Sequence, residues 1–362
     1  MQKFNKSQVS RRAVLAAGAA GAAALSMPSI LSANERSLKV GVYGGYFKKS
    51  FDTHIFSEFT AATGIKVESV AEPTGEAWLV QLEQAARAKR APADVSMMSQ
   101  VSLLKGQTTK LWAPLDMAKI PNSSNLLDTF VNKYPDGKVA GIGAVSWYIT
   151  LVSNTEEIKE APTSWAAMWD PARKDQLGLL ALVSNSFLLE VTATTYFGGT
   201  AILDTEEGIL KVMGKLAELK DNVRLWYRDE AQFEQGLKTG EIPMGQYYHD
   251  VTGLAVADGH PVRSTFPKEG GILDSGSWAV SRASSKLEEA HVFINYMCQP
   301  DIQAKMSRKV GTAPTVKRSL TDLTADEFAS VSSDIAPIVP RYDMYQTRSD
   351  WLNQKWTELI VG

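Results

Sequence analysis

The chain has 362 residues, with 38 basic against 40 acidic side chains and a formal charge of −2, a balance that offers no basic tract fit for nucleic acid. Its 44% hydrophobic and 9% aromatic content is ordinary for a globular protein, and a chain this long exceeds what one core usually organises, so two lobes are expected. The single cysteine, Cys298, excludes an intrachain disulfide and a lipid anchor near the N-terminus.

Residues 1–33 read as an export signal. Lys3, Lys6, Arg11 and Arg12 form a basic head, Ser10-Arg11-Arg12-Ala13-Val14-Leu15 has the twin-arginine pattern, and an Ala/Gly-rich apolar run extends to Leu25. That run is too short to span a bilayer. Pro28 breaks it and Ser32-Ala33 offers small residues for cleavage, so the mature protein is expected to start near Asn34, in the periplasm and without an anchor.

Leu38 to Tyr43 reads as a short apolar strand ending at Gly44-Gly45, and Phe51, Ile55, Phe56, Phe59 and Ala62 then recur at helical spacing until Gly64. Strands at Ile65 to Val70 and Ala93 to Met98 bracket a helix from Ala77 to Ala88. This βαβ order predicts a mostly parallel sheet covered by helices. Trp147 to Asn154 reads as a connecting strand into the second lobe, followed by a helix opening at Ser164-Trp165-Ala166-Ala167-Met168-Trp169. Asp204 and Glu207 suit a capping box for Thr205 to Leu219. A strand at Val223 to Tyr227, a helix at Glu230 to Leu237, a strand at Ile242 to Tyr248 and a helix at Lys286 to Met297 follow, and Pro300 opens another helix.

The motifs argue against chemistry. Gly41-Val42-Tyr43-Gly44-Gly45 sits between strand and helix but has neither dinucleotide nor Walker spacing. Asp274-Ser275-Gly276-Ser277 has the look of a nucleophile setting, yet His54, His249, His260 and His291 are scattered and supply no triad spacing. Tyr247-Tyr248-His249-Asp250 could hold ferric iron through hard oxygen donors. If the strand continued, only Tyr248 and Asp250 would share a face, which favours a cleft lining over a metal site. By the same period of two, Arg224, Trp226 and Arg228 share a face.

Several stretches resemble spermidine/putrescine-type extracellular solute-binding proteins of ABC importers: Phe59-Thr60-Ala61-Ala62-Thr63-Gly64-Ile65-Lys66-Val67, the Ser164 to Trp169 phrase, Phe266-Pro267-Lys268-Glu269-Gly270-Gly271, and Phe293-Ile294-Asn295-Tyr296 with Pro300-Asp301. The likeness runs in order from about Leu38 to about Thr315. It implies the α/β two-lobed periplasmic binding protein fold of type II, each lobe a mostly parallel sheet, with ligand in the cleft between. Lobe 1 is expected from 38–147 and 250–299, lobe 2 from 148–249 and 300–362. The resemblance also implies a membrane permease as partner, a monomer, no cofactor and no catalysis.

Carried over residue by residue, Tyr46 takes the place of an aromatic cleft residue, Tyr248 that of an aromatic against the ligand, and Asp250 that of a carboxylate holding a ligand amine. Ser99 and Phe187 complete the expected lining. The segment Ala181 to Phe187, where the polyamine binders keep acids, has none. A polyamine would lose partners there, and a buried unpaired ammonium costs several kcal/mol. Arg228 stands in a strand that the family directs at the cleft, so Arg228 for a carboxylate and Asp250 for an amine, with Trp226 beside them, suit a small zwitterion such as γ-aminobutyrate. A polyamine and, further off, ferric ion are the alternatives.

Overall fold

The computed structural model describes residues 36–73 and 76–361, and the signal segment with its cleavage point lies outside them. Among the described residues ten strands form one sheet: β1 (Ser37–Tyr43), β2 (Lys66–Glu72), β3 (Val95–Ser99), β4 (Val131–Lys133), β5 (Val139–Asn154), β6 (Leu177–Leu180), β7 (Val223–Tyr227), β8 (Met244–Tyr248), β9 (Val262–Thr265) and β10 (Ile272–Val280). The path runs β2-β1-β3-β10-β5-β8-β6-β7, with β4 and β9 pairing β5 off it. The helices that shape the site are α1 (Tyr46–Phe51), α2 (Gln100–Thr108), α3 (Leu188–Tyr196), α4 (Glu206–Leu216), α5 (Glu230–Thr239), α6 (His249–Ala257), α7 (Pro300–Val310) and α8 (Tyr342–Thr347). None of the described helices is long and apolar enough to cross a membrane.

The topology follows from one unusual strand. β5 has 16 residues, nearly all buried, so it lacks the alternation of a strand with one face in water. At ~3.3 Å per residue it is roughly 50 Å long, enough to pass through both halves of the molecule. β10 runs antiparallel beside it. A parallel block β2-β1-β3 joins β10 on one side, and a parallel block β8-β6-β7 joins β5 on the other.

Each block has its own core. Leu38, Val40, Phe51, Phe59, Met97, Trp278 and Phe293 fill the first; Leu151, Trp165, Leu177, Leu188, Val212, Met244 and Trp356 fill the second. Two segments pack differently from the boundaries read off the sequence. Ile302, Met306 and Val310 of α7 join the first core, while Ala255 of α6 and Val262 of β9 pack beside the second block. Helix amphipathicity shows that a face is buried but not against which neighbour.

Local corrections have local causes. The Ser164 phrase is a 3-10 turn, Trp165–Trp169, because the Ser164 side chain caps it and the Trp165 indole donates to Gly270 O at 2.8 Å. α4 is capped by Thr205, one residue beyond the expected Asp204, whose carboxylate instead takes Arg341. β8 ends at Tyr248 and β7 at Tyr227. Asp250 therefore lies in the first turn of α6 and Arg228 lies past its strand, so the period of two applies to neither.

Candidate functional site

β3 ends with Ser99 opposite Gly276 of β10, and β8 ends with Tyr248 opposite Ile149 of β5, itself opposite Ile272. The carboxyl ends of both blocks thus converge on three β10 residues, Leu273, Asp274 and Ser275, where the strand order reverses. Open α/β sheets bind ligands at such a switch point.

Asp274 projects from this gap, paired across the ladder with Trp147. Its Oδ1 accepts from the Ser275 backbone N–H at 2.8 Å and from the Tyr342 hydroxyl at 2.6 Å. Oδ2 has no partner among the described residues. Burial pushes the carboxyl up to about 6, with the Tyr342 and Ser275 bonds pulling the other way. Tyr43, Tyr248 and Tyr342 surround it, each with its phenol pushed up chiefly by burial and further by the Asp274 charge. The Trp147 indole N–H is buried without a partner among the described residues. Tyr248 donates to Glu230 Oε1 at 3.0 Å, and burial raises that glutamate too.

A cavity of about 300 Å³ opens over Asp274, walled by Ser99, Ser102 and Lys105 of the first half and by Asn185, Phe187 and Tyr342 of the second. Ser99 caps α2, accepting from Ser102 N at 3.4 Å and meeting Ser102 Oγ at 3.2 Å. Phe187 has a φ of 51°, the left-handed region that costs roughly 1–2 kcal/mol for a residue with a Cβ. Edge-on rings of Tyr342 and Tyr345, each 6.0 Å away, hold it there. Such strain concentrates at ligand clamps.

Of the residues expected to line the site, Ser99 and Phe187 meet in this cavity. Tyr248 is beside it, linked through Asp274. Trp226 is half-buried and packs edge-on against Trp356, ring centres 5.9 Å apart. Asp250 is half-buried with Oδ1 sealed from solvent and unpartnered. Burial pushes its carboxyl to about 6 against the pull of the Val251 and Asp250 backbone N–H groups, and Glu230 adds to the rise. Arg228 is exposed, has no hydrogen bond or ion pair among the described residues, and is not in the cavity wall. Tyr46 begins α1. Asp274, Tyr342 and Lys105 were not foreseen. A lone Asp inside a largely apolar strand is the available signal for the first; the neighbouring Ser275 Oγ accepts from the Gln100 amide at 3.2 Å, which is no base.

Residues 54–331 match the model of a family described as bacterial extracellular solute-binding protein. A γ-aminobutyric acid-binding protein of Pseudomonas aeruginosa is 24% identical over 82% of each chain. A spermidine/putrescine-binding periplasmic protein of Salmonella typhimurium is 26% identical over 87% of each. Among solved structures, an ABC transporter substrate-binding protein from Bradyrhizobium japonicum superposes with a TM-score of 0.76 at 18% identity, covering 90% of this chain and 99% of that one.

Proposed function

The chain belongs to the bacterial extracellular solute-binding protein family and is the substrate-binding component of an ABC transporter, not an enzyme; on that premise we propose that its cargo is a small ligand with an amine at one end and a carboxylate at the other. γ-Aminobutyrate is the reference compound, and the Pseudomonas relative's named ligand supports it. The periplasm is the proposed location and a membrane permease the proposed partner.

One observation carries the reading: a half-buried carboxylate, Asp274, has an oxygen with no partner among the described residues, facing a 300 Å³ cavity that also holds Lys105 and the Ser99 end of α2. The ligand ammonium bonds Oδ2, a charge-assisted bond contributing roughly 1.5–3 kcal/mol. The ligand carboxylate turns to Lys105, Ser99 and Ser102, where the positive end of the helix dipole adds to the attraction. Tyr342 and Phe187 cover the methylenes, and Tyr248 lies close enough to Asp274 to face the cation. The neutral Ser184-Asn185 wall supports one amine rather than several. Closure of the two halves is a population shift stabilised by contacts that both halves make only with ligand between them.

A polyamine is the second reading, favoured by the unpartnered Asp250 Oδ1 and by Glu230 nearby. A thermal-shift comparison separates them, since a ligand at ~100 times its Kd adds about 2.7 kcal/mol of stability. Stabilisation by γ-aminobutyrate supports the proposal; stabilisation by putrescine alone replaces it with the second reading.

A further inference from the structure

A second cavity of about 200 Å³ lies behind the first, walled by Thr129, Asn132, Leu273 and Ser275 together with Gln100 and Tyr342. Side chains alternate along β10, so Asp274 points to the ligand cavity while Leu273 and Ser275 point to this one. The two cavities are thus on opposite faces of the same strand.

The sheet is open between them. β3 stops at the Ser99–Gly276 pair, and the chain does not resume pairing with this edge of β10 until the Ile272–Ile338 bridge. Across the interval the Ser275 N–H turns back to the Asp274 side chain, so no ladder bond closes it. What fills it is two side chains. Gln100 Nε2 reaches Ser275 Oγ from the first half, and Tyr342 Oη reaches Asp274 Oδ1 from the second, and both residues line both cavities.

Tyr342 is held from behind. Glu190 of α3, fully buried, accepts the Arg341 backbone N–H at 2.8 Å and the Tyr345 hydroxyl at 2.6 Å, pinning the segment on both sides of Tyr342. Arg341 is tied to Asp204 and Asp343, and Gln346 donates to Leu104 O of α2 at 3.2 Å. A ring fixed in this way is a wall and not a passing contact.

We infer that Gln100 and Tyr342 are the specificity-determining partition of the site: they close the passage between the cavities and so exclude ligands whose chain continues beyond the nitrogen held at Asp274. The inference rests on the reading above that Asp274 takes the amine. Behind the partition, Ser275, Asn132 and Thr129 would offer a longer ligand polar contacts, so the block is steric.

The test is calorimetry on γ-aminobutyrate and putrescine, each beside its N-(3-aminopropyl) derivative, reading the ratio of extended to parent affinity. Wild type is expected to bind a parent compound and to discriminate against its derivative by about tenfold or more, in the range that added methylenes command in a closed pocket. Tyr342→Ala should raise the ratio about tenfold and Gln100→Ala about threefold, whereas Tyr342→Phe, which keeps the ring, should hold it within about twofold. Gln100→Ala carries the test should Tyr342→Ala fail to fold. Binding of a parent with an unmoved ratio in the two alanine variants overturns the partition alone, as does a derivative that binds wild type as well as its parent. A ratio that rises as far in Tyr342→Phe as in Tyr342→Ala overturns the steric account. Failure of all four compounds to bind wild type overturns the amine reading and the partition with it.

Discussion

Two corners of the cleft offer a carboxylate to an amine, and they are built differently. Asp274 is fixed on β10, paired with Trp147 of the long strand β5, with one oxygen bonded twice and the other left over a cavity. Asp250 lies where β8 gives way to α6, its Oδ1 sealed and without a partner among the described residues, and Arg228 is exposed beyond the end of β7. The first corner is preorganised by the sheet. The second depends on loops and helix ends, which need a ligand or a closing motion to bring them together.

The comparison breaks most readily at Asp274. Asp274→Asn keeps the shape and removes the charge, and should weaken γ-aminobutyrate binding by about 2–3 kcal/mol, roughly 30–150-fold by calorimetry. An affinity within threefold of wild type would move the amine to the other corner.

The next effect is on pH. A carboxyl raised to about 6 holds a proton in the free protein that an ammonium ligand must displace. Affinity should therefore fall roughly tenfold between pH 7 and pH 5, and the Asp274→Asn variant should lose that dependence. For folding the sign is opposite. The native carboxyl binds its proton more tightly than the unfolded one near 4, so ligand-free stability is higher at low pH and declines as pH rises from about 4 to about 6. Denaturant titrations across that window should show the decline in wild type and a smaller one in Asp274→Asn, because burial also raises Asp250, Glu72, Glu190 and Glu230.

Asp250→Asn sharpens the contrast from the other side. With the amine at Asp274, its loss should cost about threefold in γ-aminobutyrate affinity and more in putrescine affinity, because a diamine has a second cation to place. The smallest effect belongs to Arg228. An exposed guanidinium with no partner among the described residues contributes about 0–1 kcal/mol even when a charge approaches it, so Arg228→Ala should leave the Kd within about threefold. A tenfold loss would mean that the arginine swings into the closed cleft.

Much of this was legible in the residues. The runs Leu38 to Tyr43, Ala93 to Met98 and Val223 to Tyr227 became strands because apolar spacing and flanking turns agree there, and Ser99 and Phe187 both line the cavity over Asp274. The failures share a cause. Arg228 and Asp250 lie one and two residues past strands whose ends at Tyr227 and Tyr248 the sequence marks, so the period of two does not reach them. The significance of Asp274 depends on β3 and β8 ending at registers four residues apart on β10 and β5, a tertiary fact. Tyr342 and Glu190 act across about 150 residues of chain, a separation no local pattern records.

The most direct measurement is a crystal structure of the protein with γ-aminobutyrate. The ligand nitrogen is predicted within hydrogen-bond distance, about 3 Å, of Asp274 Oδ2, with the ligand carboxylate toward Ser99 and Lys105. A nitrogen seated on Asp250 with the carboxylate gripped by Arg228 would contradict the account.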